Sequence, residues 1–383
     1  MTFVSHVSCP QCGATYGSEG VHNLCEACSG PLLVDYDLDR VRGAVTKEAV
    51  AQRAASMWRY RELLPVRDES HVVTLGEGFT PLIPLSERLL LKDEGLNPTG
   101  TFKARGASCG ISRARELGIK EVALPTAGNA GGAWACYGAA AGIRVHVAMP
   151  SDAPEANKLE CLYYGADLEL VDGLISDAAA LVTRGIAEHG WFDAATLKEP
   201  YRIEGKKTLG FEIAEQLGWE MPDAIIYPAG GGVGIIGIWR ALLQLRDIDW
   251  VTGDLPRLIV VQAAGCAPLV KAFDEGAEVS EFWPRAETIA AGLRVPKALG
   301  DFLVLRAMRE TGGVAVSATD SEILGAMLHL AKGGISAAPE GAATLVAYEN
   351  LVQAGVLTSR DRVVIINTGS AQKYPDAMRA ALR

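Results

Sequence analysis

Lys103 sits in Asn97-Pro98-Thr99-Gly100-Thr101-Phe102-Lys103-Ala104-Arg105-Gly106, a polar turn that runs straight into a helix. A partly desolvated lysine near other cations loses its proton easily, and its amine can form a Schiff base with an aldehyde. A lone lysine of this kind is more often a solvated side chain in a first helical turn. The residues further along the chain decide between the two.

Three runs expected as strands end in unusual loops, and in open α/β sheets ligands bind beyond the carboxyl ends of strands. The first loop is Thr126-Ala127-Gly128-Asn129-Ala130-Gly131-Gly132, after a strand ending near Leu124. Its glycines permit close backbone approach, and the helix that follows offers N–H groups to a carboxylate or phosphate, with Asn129 as a hydrogen-bonding side chain. The second is Gly230-Gly231-Gly232-Val233-Gly234, after Ile225-Ile226-Tyr227. Such a run of glycines can form a nest of backbone donors around a phosphate. The third, Asn367-Thr368-Gly369-Ser370, puts two hydroxyls at a strand end, where they can cap a helix or meet the ring nitrogen of a cofactor.

The second loop also satisfies G-x-G-x-x-G at Gly232, Gly234 and Gly237. A dinucleotide site wants an acidic residue closing the next strand, to bind the ribose. That strand, Leu258-Ile259-Val260-Val261-Gln262, ends in a glutamine, and no Walker lysine follows the glycines. A nicotinamide or flavin site is therefore disfavoured. One ligand answers these features at once: an aldehyde for Lys103, a phosphate for Gly230, Gly231, Gly232, Val233 and Gly234, and a ring nitrogen for a hydroxyl. Pyridoxal phosphate carries these groups. An uncharged hydroxyl partner leaves the pyridine nitrogen unprotonated, which suits elimination and replacement on amino acids better than transamination.

The elements that must position these residues alternate. Short β-rich runs at residues 122–124, 145–149, 168–171, 224–227, 258–261 and 363–366 are separated by helical stretches. The expectation is an α/β fold with parallel sheets covered by helices. Residues 37–58 read as amphipathic helix, and Pro65, Pro81 and Pro84 punctuate an extended segment before Arg88. The 383 residues suffice for two domains. A net charge of -10 argues against nucleic acid, and no apolar run is long enough to cross a bilayer. The N-terminal segment lacks the basic and apolar regions of a signal peptide, so a soluble cytoplasmic protein is expected.

Of eight cysteines, Cys109, Cys136, Cys161 and Cys266 are scattered and expected in the core. The others form Cys9-Pro10-Gln11-Cys12 and Cys25-Glu26-Ala27-Cys28, a C-x2-C-x12-C-x2-C pattern that can hold one zinc ion with four thiolates. Four protein ligands leave no open position, so the site is expected to be structural. Disulfides are disfavoured because nothing points to an oxidising compartment.

With these residues in place, the chain resembles the threonine synthases, a family of fold-type II (tryptophan-synthase β-like) pyridoxal-phosphate enzymes. The resemblance covers almost the whole chain. It includes the cysteine ribbon, the segment 97–103, the Gly128-Asn129 loop and the Gly230–Gly234 cradle. It extends to Pro200-Tyr201-Arg202-Ile203-Glu204-Gly205-Lys206-Lys207-Thr208, to residues 288–296, to Pro339-Glu340-Gly341 and to Asn367-Thr368-Gly369-Ser370. It implies that Lys103 is the Schiff-base lysine and catalytic base. Asn129 would bond the cofactor's phenolic oxygen, and Thr368 would face the pyridine nitrogen. The substrate would lie against Thr126, Ala127 and Ala130, with Arg202 on its phosphate and Glu340 near the site.

The implied reaction turns O-phosphohomoserine and water into threonine and phosphate, by elimination at Cγ and addition of water at Cβ. The implied domains are a zinc ribbon at 1–36, a large cofactor domain of 37–106 plus 198–383, and a smaller mobile domain at 107–197. A homodimer acting on a small amino-acid substrate is expected. The family loop commonly reads S-T-G-N-T, so two hydroxyls are missing at Ala127 and Ala130. Thr196-Leu197 stands where many relatives have Asn-Ser. These departures fall where substrate is read. They keep open an ammonia-lyase acting on threonine or serine, or a cysteate- or cysteine-synthase-like β-replacement enzyme. A zinc-ribbon binding protein that has lost catalysis is the reading from another class.

Overall fold

All six runs expected as strands form strands, and each pairs in parallel with its neighbours. The computed structural model describes residues 2–383. The chain divides into two units, one made of Met1–Gly78 and Lys103–Thr208, the other of Phe79–Phe102 and Leu209–Arg383.

The second unit is built on a six-stranded sheet in the order Ala315–Ala318, Arg257–Ala263, Ala224–Pro228, Val363–Asn367, Leu89–Asp93, Leu82–Pro84. Every neighbouring pair is parallel except the last, which is antiparallel and places Pro84 on an edge strand, where a missing N–H costs no ladder bond. The central strands are apolar on both faces, as helices covering both sides of a parallel sheet require. Ile226, Ile259, Val261 and Ile365 pack with Ala342, Ala343 and Val346 of the helix Pro339–Gln353 in one core. Lys92 interrupts the apolar run of Leu89–Asp93. It is wholly buried, with its ammonium on Glu212 (2.8 Å), Gln216 (2.8 Å) and the Thr80 carbonyl (2.6 Å).

The first unit holds a four-stranded parallel sheet in the order Asp167–Val171, Arg144–Pro150, Glu121–Pro125, Phe192–Asp193. Its N-terminal part is a three-stranded antiparallel ribbon, Thr15–Gly17, Val4–Ser8, Leu33–Tyr36. The single helix expected over residues 37–58 is two short ones, Leu38–Ala44 and Lys47–Ala51. Val45 is extended, and the Thr46 hydroxyl caps the second helix by accepting from Ala49 N–H.

The units are divided differently from the domains expected above. Residues 1–78 fall with the smaller sheet, because their polar side chains bond elements of that unit. Tyr36 donates to Glu204 (2.7 Å), and Trp58 donates to Ser108 (3.0 Å) and Glu77 (2.9 Å). Among the described residues no helix is long and apolar enough to cross a membrane.

Candidate active site

In the second unit the strands Leu89–Asp93, Val363–Asn367 and Ala224–Pro228 are consecutive neighbours and parallel, so their carboxyl ends lie side by side. These three ends lead into the Asn97-to-Lys103 segment, the Thr368 loop and the glycine loop. Two of the segments are laced together. Phe102 N–H donates to Thr368 O (3.0 Å), Ser370 N–H donates to Gly100 O (2.9 Å), and Thr101 pairs with Gly369 in an antiparallel bridge. Below them the Asn367 amide donates to Asp93 (2.8 Å), and the Asn97 amide donates to Glu94 (2.8 Å). Thr99 has φ +65°, a left-handed conformation uncommon for a residue with a side chain and frequent where a site over-determines the backbone.

The glycine loop enters the helix Val233–Asp247, whose first N–H groups have no partner within the helix. Two of its glycines are required by close approach. A Cβ on Gly230 would lie 2.2 Å from Gly292 O, and one on Gly234 would lie 1.9 Å from the Tyr227 hydroxyl oxygen. That hydroxyl is buried without a hydrogen-bond partner. Burial, and then the charge of Glu94, pushes its pKa well above the ordinary phenol range. The Tyr227 ring meets Phe102 edge to face, with centroids 6.1 Å apart. Glu340 accepts from Gly292 N–H (2.6 Å) and from the Tyr374 hydroxyl (2.9 Å), fixing the turn beside Gly230. Gln262, next to last in the strand Arg257–Ala263, bonds Ala229 O (2.9 Å) and Leu269 N–H (2.8 Å). It braces the entrance to the loop where a dinucleotide site would have an acid.

In the first unit Lys103 is the first residue of the helix Lys103–Glu116 and is half-buried. Thr126 to Asn129 join Glu121–Pro125 to the helix Ala130–Ala141, and Ala130 to Gly132 form its first turn. Thr126 is buried, and its hydroxyl accepts from Gly128 N–H (3.1 Å), closing the turn. Ala127, Asn129 and Ala130 are half-buried, and Asn129 makes no capping bond to the helix it precedes. The neighbouring strand, Phe192–Asp193, leads into the loop that runs to Arg202, the first residue of the helix Arg202–Gln216.

Arg202 is 5% exposed. Its Nε donates to Glu199 (2.7 Å), one terminal nitrogen donates to the Thr196 hydroxyl (3.2 Å), and the other to Ala194 O. The guanidinium lies 5.0 Å over the Trp134 ring, from the helix behind the Asn129 loop. Three of the five N–H donors of an arginine are thus engaged, leaving one on each terminal nitrogen. Burial raises the Glu199 carboxyl pKa, while Arg202 opposes the rise. Glu199 and Trp134 are residues that sequence reasoning missed. The acid three residues before an arginine, at the start of a helix, was the available signal. Lys207 is fully buried, paired with Glu204 and 4.0 Å from the centre of the Tyr36 ring.

Cys9, Cys12, Cys25 and Cys28 form a second site in this unit, with all four sulfurs within 4.8 Å of one another. None is in a disulfide. The pairs Cys9–Cys28 and Cys12–Cys25 are each 3.5 Å apart. Tetrahedral zinc with bonds of about 2.3 Å puts its sulfurs about 3.8 Å apart, so the cluster fits the ion closely. The Tyr16 hydroxyl, 3.1 Å from the Cys25 sulfur, favours its thiolate and brings that thiol down to about 6.

The comparisons with known proteins agree with this geometry. The family model described as pyridoxal-phosphate dependent enzyme matches residues 73–369, and the chain belongs to that family. Solved structures of maize serine racemase (TM-score 0.65, 24% identity, 79% of this chain and 92% of that one) and of Escherichia coli diaminopropionate ammonia lyase (0.67, 19%, 82% and 90%) share its fold. Within the family the chain is a member of the threonine synthases. It is 35% identical to the threonine synthase of Methanocaldococcus jannaschii over 96% of this chain and 93% of the relative. It is 37% identical to that of Methanosarcina acetivorans over 97% and 93%. The fold is therefore the α/β architecture expected from the alternating elements and the fold-type II class that the resemblance implies, and the chain is a lyase-type enzyme with pyridoxal phosphate as its cofactor.

Proposed function

We propose that this chain converts O-phosphohomoserine and water into threonine and phosphate. The observation that carries the reading is the set of three neighbouring strand ends leading into Lys103, Thr368 and the glycine loop, together with a buried arginine that keeps two N–H groups. The names of the relatives, threonine synthases, agree with the product. The glycine loop fits a cofactor phosphate, because Gly230 and Gly234 have no room for a side chain and a helix N-terminus follows. When bound, pyridoxal phosphate acidifies the hydrogens along the substrate's carbon chain. Lys103 anchors the aldehyde at rest. During turnover its amine takes the proton from Cα and moves protons at Cβ and Cγ, which requires a pKa below that of a free lysine. Asn129 bonds the phenolic oxygen and Thr368 the ring nitrogen. The backbone of Thr126, Ala127 and Ala130 holds the substrate carboxylate without the two missing hydroxyls. Arg202 offers its remaining N–H groups to the substrate's phosphate, which its planar fork matches.

The four cysteines hold a structural zinc in this reading, supported by the sulfur spacing and the absence of an open ligand position. A cytoplasmic homodimer goes with it. A substrate panel on cofactor-loaded protein tests the proposal. Phosphate and threonine in equal amounts from O-phosphohomoserine support it. Ammonia and a keto acid from threonine or serine, with no phosphate release, would place the chain with the ammonia-lyases instead.

A further inference from the structure

Between its two cysteine pairs the ribbon reaches the body of its own unit. The Asn23 side-chain amide donates to the carbonyl oxygens of both Asp193 and Lys198, at 2.8 Å each. These carbonyls bracket residues 194–197, so a single side chain closes the turn. Both amide hydrogens are used. From the other side Arg202 bonds Ala194 O and the Thr196 hydroxyl. Inside the turn Ala195 N–H donates to Asp193 (2.9 Å), and Lys198 pairs with Asp193 (3.2 Å). Leu197, 1% exposed, has φ +61°. A bulky residue in the left-handed region is strained and persists only where its surroundings over-determine it. Ribbon residues nearby add to the hold. Gly20 O accepts from the Tyr201 hydroxyl (3.4 Å), and Ser18 O accepts from Arg113 (2.6 Å).

We infer that Asn23 is a positioning residue for substrate binding. It staples the turn at residues 193–198 so that Arg202 keeps its two remaining N–H groups ready for the substrate's anionic group. Cys12 and Cys25 fix the two ends of the loop that carries Asn23, so the cysteine cluster serves the substrate loop and not the cofactor. The inference rests on the reading of Arg202 as the phosphate ligand.

Asn23→Asp keeps the shape of the side chain and removes both donors. In the full chain, loaded with cofactor and zinc, four quantities are measured: metal content, the cofactor's visible band, steady-state kinetics on O-phosphohomoserine, and amide hydrogen exchange at residues 194–202. The expected variant keeps metal and band, raises KM about tenfold with kcat within about twofold, and exchanges faster at residues 194–202. Exchange equal to wild type would overturn the staple. Faster exchange with an unchanged KM would overturn its role in substrate binding. Loss of metal in both Asn23→Asp and Asn23→Ala would show that the amide serves ribbon folding, which also overturns the inference. A wild type that fails to turn over O-phosphohomoserine would refute the proposed function, while the exchange measurement still decides the staple.

Discussion

The backbone N–H of Phe102 donates to the carbonyl oxygen of Thr368 at 3.0 Å. The residue before Lys103 is thereby tied to the end of the strand Val363–Asn367 by main-chain atoms alone. The Thr368 hydroxyl takes no part in this tie and is available for chemistry without loosening the fold.

Thr368→Val therefore separates the two roles. The carbonyl and the side-chain shape are kept, so the melting temperature should stay within a few degrees of wild type. If that hydroxyl meets the cofactor's ring nitrogen, losing the bond should shift the visible band and lower kcat about tenfold. An unchanged spectrum with unchanged kcat would remove Thr368 from the ring nitrogen.

Gly230→Ala places a methyl group 2.2 Å from Gly292 O, a backbone atom held through Gly292 N–H by Glu340. The turn has to shift, at a cost of about 1–3 kcal/mol. If that turn cradles the cofactor's phosphate, pyridoxal phosphate should bind roughly ten- to a hundred-fold more weakly by spectroscopic titration. Wild-type affinity in this variant would mean the phosphate lies elsewhere.

Much of this was legible in the sequence, and what was not has particular causes. The strands ending in glycine or hydroxyl loops were read from apolar runs bounded by turn residues. Leu89–Asp93 was missed because Lys92 and Asp93 break the run. Lys92 is tolerated because Glu212 and Gln216, more than a hundred residues away, meet its ammonium together with the Thr80 carbonyl. The four ribbon cysteines are legible because their spacing follows a metal-ligand pattern, and folding gathers their sulfurs within 4.8 Å of one another. Asn23 and Glu199 were invisible, since an asparagine in a loop and an acid near a helix start have ordinary local explanations. Their roles depend on partners that folding supplies. The expected helix over residues 37–58 failed at Thr46, whose preference for the cap outweighed the amphipathic pattern.

Glu199 and Arg202 form a buried pair, with side-chain exposures of 0% and 6%. Glu199→Ala leaves a guanidinium without its counter-charge, which should cost about 3–5 kcal/mol in urea unfolding. Replacing both, as Glu199→Ala with Arg202→Met, should recover most of that loss and still fail to bind substrate phosphate. A single variant as stable as wild type would show that the pair contributes little.

The metal site makes a separate prediction. Purified protein should carry one zinc per chain, and removing it should unfold the ribbon, whose small core is Val7, Cys9, Cys25 and Leu32. The first thermal transition should fall by several degrees, while pyridoxal phosphate stays bound. Chelation that leaves melting unchanged, or metal analysis that finds no zinc, would contradict a structural metal.

In the proposed reaction, carbon–oxygen cleavage at Cγ is followed by addition of water at Cβ. Turnover of O-phosphohomoserine in H2(18)O tests it most directly, with both products read by mass spectrometry. Threonine should carry one (18)O in its hydroxyl and inorganic phosphate none. Labelled phosphate with homoserine as the organic product would show hydrolysis at phosphorus and contradict it.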